Sequence, residues 1–445
     1  MTVDSAPQKD IALTPLEKLI KIFRLDSERW EIVDFDFESG DIDIFSDAEP
    51  DKPMIETTTD DIRGYDLGTV TVRIAMKHGL RHKCPVCGEV ATVHKWMSSQ
   101  FCNPPISSMR TIFDISVPQL HCRACGAFRK ARCPLVVPNH TYTKLMKFQV
   151  ARTASSETAK ATAEACGVGD WIVADVIHEI TEKGKASRDL SHVDTLFVDE
   201  IQSGSGQNYV TMVADQNHTL ISGVEGHDIS SVHKVLEDIA SCGCDPKKIV
   251  YVSADMSQAY KTGVSECFPN AKLILDHFHV VKKVSEAVDT VRKRTNRELK
   301  KNGIEPPKKV KYTVLFREKN QDDKHRKRME EVRLLNPELA QAFDLKEEFY
   351  DIFEQADRHG ARSAFFRWYN RVRGSKITEM VDVSKRMLKR LNEILRWFDH
   401  RISNGVAEGM NNVYKKIKSA AYGFRKSETL IDFCFFRKGN LRLSI

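Results

Sequence analysis

Two cysteine turns and a handful of acids are the parts of this sequence equipped for chemistry. CPVCG begins at Cys84 and CRACG at Cys122. Each pair sets two thiolates on one tight turn, and the glycine that follows releases the backbone. Two such turns can close a tetrahedral Zn²⁺ site from Cys84, Cys87, Cys122 and Cys125. With sulfur in all four positions, no coordination place stays open for substrate, so such a site is structural. The gap of 34 residues between the pairs has room for a small hairpin. Two unrelated buried cysteine turns would spell the same letters. Cys102, Cys133, His94 and His121 lie nearby and read as bystanders.

The acids stand at the ends of apolar runs. TLFVDEI carries Asp199, KIVYVSAD ends in Asp255, and AKLILD ends in Asp276, which opens the cluster DHFH with His279. Far downstream, ISNGVAEGMNNVYKKIK reads as a helix with Glu408 in its first turns and Lys415, Lys416 and Lys418 beyond. Mg²⁺ is a hard ion that favours oxygen ligands. Two such ions about 4 Å apart can activate an attacking oxygen and stabilise a leaving one. That chemistry needs carboxylates from separate segments to converge. The bland alternatives are strand-end polar residues and an amphipathic surface helix with a normal charge mix. Tyr260 and Tyr422 read as packing rather than nucleophiles.

The surrounding pattern supplies a scaffold for convergence. TLFVDEI, NYVTMVAD and TLISGVEG read as three hairpin-linked strands. They are followed by the helix ISSVHKVLEDIA, the strand ending in Asp255, a helix over 257–267 and the strand ending in Asp276. This is the order of a ribonuclease H-like core, an α/β mixed sheet flanked by helices. In such a sheet the first and fourth strands lie side by side, so Asp199 and Asp255 can share an ion pair, whereas Asp276 is one strand further out. No GxGxxG follows the first strand and no GxxxxGK[ST] occurs, which removes the main support for dinucleotide and P-loop readings. Residues 281–400 read as a helical insertion, in which Trp368 and Trp397 either pack in a core or stack on an unpaired base.

Ahead of this core, TAKATAEACGVGDWIVADVIHEI reads as a helix-turn-helix, with Gly167 at the turn and a second helix of about 169–181. A plain helical hairpin would look almost the same. The expected division is a lead-in at 1–75, a zinc-binding module at 76–136, the helix-turn-helix segment at 137–190, the core at 191–280 and 401–445, and the insertion at 281–400.

Composition agrees with several soluble domains: 445 residues, 41% hydrophobic and 29% charged. The net charge of +6 conceals an acidic stretch at 32–66 and a basic half from 281 onward, which suggests a polyanionic partner. No apolar run is long enough to span a membrane, and the start lacks a secretory signal. Eleven cysteines, an odd number, point to thiols in a reducing cytoplasm.

The blocks CPVCG…HCRACG, VDEI, SADMSQAY…FPNAKLILDHFHVVK and SNGVAEGMNNVYKKIKSAAYGFR resemble the ISL3 family of bacterial insertion-sequence transposases. The likeness runs from about residue 80 almost to the C-terminus. It implies a zinc module and helix-turn-helix ahead of a DDE core, with Asp199, Asp255 and Glu408 as catalytic acids holding two Mg²⁺ (Mn²⁺ can substitute). Asp276 and His279 would support the site or touch DNA, and Lys415, Lys416, Lys418 and Arg425 would contact phosphates. The implied reaction is hydrolysis at a transposon end followed by attack of the freed 3′-OH on another strand. The implied partners are duplex DNA at terminal inverted repeats and target DNA, with a homodimer or larger multimer forming in the DNA complex at the nucleoid. Ser419 and Ala420 depart from the family's basic residue after IK, which weakens one phosphate contact. The rivals are a non-catalytic zinc-containing regulator, a ribonuclease H-like nuclease without strand transfer, and a structural protein stapled by zinc.

Overall fold

The computed structural model describes residues 15–23, 25–40, 66–203, 208–400, 405–420 and 426–443; for 15–18, 400, 405–408, 411 and 420 the backbone alone is described. The chain divides between Ile180 and Thr181 into two compact units.

The first unit opens with helix α1 (Pro15–Ile22) and a sheet of β1 (Trp30–Glu38), β2 (Thr69–Met76), β3 (His82–Lys83), β4 (Val90–Ile106), β5 (Met109–His121) and β6 (Phe128–Lys130). The strand order is β1-β2-β5-β4-β3, and β6 pairs with the far end of β5. Alternate residues of β5, among them Phe113, Ile115 and Val117, are buried, the period expected of a half-covered sheet. Ser107 and Ser108 both take positive φ and close the β4–β5 hairpin, the backbone a two-residue turn requires. Part of the acidic stretch forms β1, where Arg73 of β2 ties down Asp34 and Asp36 at 2.6 and 3.0 Å. Residues 41–65 of that stretch lie outside the described residues.

Three helices follow: α2 (Lys144–Ala154), α3 (Ala159–Cys166) and α4 (Asp170–Ala186). Thr143 and Thr158 cap the first two by accepting from the N–H groups of Met146 and Ala161. Gly167 ends α3 in the left-handed conformation at φ 64°, which turns the chain into α4.

The second unit is built on β7 (Thr195–Gln202), β8 (Tyr209–Asp215), β9 (Leu220–Glu225), β10 (Tyr251–Ala254) and β11 (Lys272–Leu275), in the order β11-β10-β7-β8-β9. The first three form an antiparallel meander; β10 and β11 run parallel to β7. Parallel neighbours need crossovers, here supplied by α5 (Ile229–Ser241) and α6 (Gln258–Cys267). Asp228 and Ser231 form a capping box that starts α5. Gly263 lets α6 close on α5, since a Cβ there would sit 2.8 Å from that of Val232. This mixed sheet with its helices resembles a ribonuclease H-like core.

Then come α7 (His277–Lys301), α8 (Val310–Leu315), α9 (Asp323–Leu335), α10 (Pro337–Phe353), α11 (Arg358–Ser375), α12 (Thr378–Lys389) and α13 (Leu391–His400). The chain returns to the sheet as α14 (Gly405–Ala420) against β7 and α15 (Ser427–Lys438) against β9. Arg294 of α7 clamps the insertion, reaching Glu338 of α10 at 2.6 Å and Glu379 of α12 at 2.8 Å. Trp368 is 2% exposed and donates its Nε1–H to the Leu345 carbonyl at 2.8 Å, with Phe349 and Phe365 against its ring. Trp397 packs on His277, Phe353 and Phe398. Both tryptophans are packing residues; the base-stacking alternative fails for Trp368 because its ring has no open face. Trp368→Ala is expected to cost about 3–5 kcal/mol, read as a lowered denaturant midpoint of the second unit.

Candidate active site and metal centres

The hairpins of the first unit bring the cysteine turns together. Cys84 and Cys87 lie between β3 and β4, and Cys122 and Cys125 between β5 and β6. The turns are copies of one another. The N–H of Cys84 donates to Glu89 and that of Gly88 to Cys84, while Cys122 and Gly126 repeat the pattern with Ala127 and Cys122. Gly88 and Gly126 both take positive φ, with nothing near a notional Cβ, so glycine is there for backbone conformation and not for space. The sulfurs of Cys84 and Cys125 are 3.7 Å apart and those of Cys87 and Cys122 are 3.5 Å apart. Tetrahedral Zn–S bonds of about 2.3 Å require S···S of about 3.8 Å, so the cluster fits one such ion. The N–H groups of Cys87 and Val86 draw the Cys84 thiol down to about 6. The Glu89 N–H acts to lower Cys87 as well, but its thiol neighbours and burial push it up to about 12. His121 instead stacks on Phe128 at 4.4 Å.

In the second unit the parallel register pairs Thr195 with Tyr251, Leu196 with Val252 and Phe197 with Ser253. Two further steps set Asp199 level with Asp255. One Asp199 oxygen accepts the N–H of Glu200 at 2.7 Å, and an Asp255 oxygen accepts the N–H of Met256. Asp276 caps α7 by accepting the N–H of Phe278 at 2.8 Å. That cap starts the turn that carries His279 inward. Its Nε2 lies 3.6 Å from Asp199 Oδ1 and 3.6 Å from Asp276 Oδ2, and its Nδ1 is 3.6 Å from Asp255 Oδ1. Sheet order separates Asp276 from Asp199, yet the first turn of α7 joins them around one imidazole.

The electrostatics follow from crowded acids with little water. Burial alone would lower His279, but Asp199, Asp255 and Asp276 outweigh it and raise its pKa above the ordinary imidazole value. Burial pushes Asp276 up to about 6, with Asp199 and Asp255 adding to the effect against His279 and the Phe278 N–H. Glu200, on the opposite face of β7, is also raised by burial and is held by Tyr260. Tyr260 is fully buried and bonds Thr211 at 3.1 Å, so it belongs to the core. The partly buried oxygens of Asp199 and Asp255 are the donor type a hard divalent ion takes.

Glu408 lies in α14, against β7, but its side chain is outside the described residues, as are Arg425 and Tyr422. Met410, Tyr414 and Ile417 form the buried stripe of α14; Lys415 and Lys416 are exposed and Lys418 half-buried. Sequence reasoning passed over Arg390, which is 8% exposed and donates to the Met256 carbonyl at 3.3 Å. In RMLKRLNEI it looks like any helix-surface base, and only tertiary contact sets it apart.

The family model of ISL3-type DDE transposases, described as "Transposase", matches residues 196–432, more than half of the chain. The transposase for insertion sequence element IS1001 of Bordetella parapertussis is 24% identical over 353 residues, covering 78% of this chain and 86% of the relative. The transposase for IS1557 of Mycobacterium tuberculosis is 22% identical over 398 residues, covering 82% of this chain and 88% of the relative.

Two outcomes are expected from this geometry. Purified protein should carry one zinc per chain by elemental analysis, and Cys84→Ser or Cys122→Ser should lose it and destabilise the first unit. In chelator, folded Asp276 binds its proton more tightly, at about 6, than the unfolded chain does near its ordinary 3.8. Its contribution to stability therefore falls as pH rises from about 4 to about 6. Asp276→Asn retains an acceptor for the Phe278 N–H but removes that slope. Urea midpoints at about pH 4.5 and about pH 7.5 check it; parallel pH dependences in wild type and variant would contradict the assignment.

Proposed function

The chain belongs to the ISL3 family of DDE transposases, and from that membership we propose that it binds the terminal inverted repeats of its own insertion sequence and catalyses DNA cleavage and strand transfer. The observation that carries the proposal is the pair Asp199, within β7, and Asp255, one residue past the end of the parallel neighbour β10, both inside the matched region. Glu408 is the third acid, a role favoured by the docking of α14 on the strand that bears Asp199. These three carboxylates would hold two Mg²⁺, or Mn²⁺ in its place, which supply activation of the attacking oxygen and stabilisation of the leaving one. His279 and Asp276 keep the acids apart and oriented, the imidazole offsetting their repulsion before DNA arrives. Lys415, Lys416, Lys418 and Arg425 contact phosphates and position the strand without reading sequence.

Zn²⁺ in the four-cysteine cluster fixes the two hairpins of the first unit relative to one another. Helices α3 and α4 act as the helix-turn-helix, with α4 entering the major groove; Trp171 in its first turn is 64% exposed and free to meet DNA. Bringing two transposon ends together calls for at least a dimer in the DNA complex. No described helix is long and apolar enough to cross a membrane, in keeping with action at the nucleoid. A regulator without catalysis has no use for two level carboxylates at the sheet edge.

The test is cleavage of duplexes carrying the element's own ends, with and without Mg²⁺. Glu408→Gln is expected to lower cleavage by roughly 10²–10³-fold while leaving end binding intact. Robust cleavage by the variant removes Glu408 from the triad. Cleavage without joined product favours a nuclease over a transposase.

A further inference from the structure

Beside Asp255 lies a recess that the metal-binding acids do not account for. Asp255, Met256, Ser257, Lys283, Arg386 and Met387 enclose about 250 Å³ of space. The walls come from the β10–α6 turn, α7 and α12. This volume is below the range of about 300–1,000 Å³ usual for small-molecule pockets, and suits one group of a polymer better than a free metabolite.

Its charge points to an anion. Two cations beside a metal-binding carboxylate would weaken metal binding unless they serve a negative group of their own. Lys283 pairs with Glu286 at 3.1 Å on its own helix, with the two side chains 41% and 50% exposed; a pair so open to water is weak and readily exchanged. Arg386 is exposed, and no acceptor for its guanidinium occurs among the described residues. The Ser257 hydroxyl accepts from the N–H of Ala259 and caps α6.

The recess is also held in shape. Arg390, one helical turn beyond Arg386, donates to the carbonyl of Met256 at 3.3 Å. Its Nε lies 3.4 Å from Glu393, which in turn pairs with Lys261 of α6 at 3.0 Å. The end of α12 and the start of α13 are thereby fastened to the turn that follows Asp255. The helix that carries Arg386 is thereby anchored beside the turn after Asp255.

We infer that this recess binds a non-scissile phosphodiester of the DNA strand entering the active site. Arg386 takes its oxygens in the forked geometry of a guanidinium and Lys283 neutralises its charge. Gripping one phosphate sets the register of the strand, so that a neighbouring phosphate meets Asp199 and Asp255. The inference rests on the transposase reading.

The experiment scans duplexes of the element's own end and flanking DNA, each with one phosphate near the cleavage point replaced by a neutral methylphosphonate. Wild type, Arg386→Ala, Arg386→Lys and Lys283→Ala are compared in Mg²⁺, with thermal midpoints confirming that each variant folds. One replacement is expected to slow wild-type cleavage by about 10–100-fold. Arg386→Ala should slow cleavage of the all-phosphate duplex by a similar factor and show no further loss at that position, the coupling expected of direct partners. Arg386→Lys should recover part of the rate. Wild-type rates in both alanine variants, or losses that multiply at every position, overturn the recess and leave the transposase reading standing. Failure of wild type to cut its own ends overturns both.

Discussion

Parallel pairing of β7 with β10 is the constraint on which the second unit depends. Parallel neighbours run in the same direction, so Asp199 within β7 and Asp255 just past the end of β10 come level with one another. Asp199 and Asp255 therefore meet because their strands are neighbours in the sheet, although 55 residues lie between them. Four helices build on that pairing. α5 and α6 supply the crossovers, α7 brings His279 into the carboxylate cluster, and α14 comes back across the whole insertion to rest on β7.

The carboxylate cluster is poised rather than relaxed. Three aspartates at low exposure repel one another, and the imidazole of His279 sits 3.6 Å from an oxygen of each. The recess lined by Lys283 and Arg386 also includes Asp255, so opposite charges lie side by side there. The first unit uses different physics. There the four sulfurs converge from two hairpins whose strands β3 and β6 are only two and three residues long.

Several features were legible in the residues because their signals are local. The CxxCG turns need positive φ at Gly88 and Gly126, and Gly167 closes α3 in the same region. The strand-and-helix alternation from 195 to 275 carries β-branched runs and caps that few other folds would use in that order, and the sheet order followed from it. Other features were not legible. The acidic stretch reads as lead-in, yet its first part is a strand, because Arg73 and a buried Trp30 come from outside the charge pattern. Trp368 looks like any aromatic until the helices of the insertion close over it.

By itself, the sequence determined which residues carry donor chemistry, how the strands follow one another, and the family to which the chain belongs. These are properties of residue type and spacing, and they survive without knowledge of contacts. Only the tertiary structure decided that Asp276 and His279 join Asp199 and Asp255 in one cluster, and that Lys283 and Arg386 share a recess with Asp255. A helix cap and a turn determine the direction of His279, and helices about 100 residues apart bring Lys283 to Arg386. Such distances depend on how the helical insertion packs against the sheet, a sum of many apolar contacts that no single stretch of residues encodes.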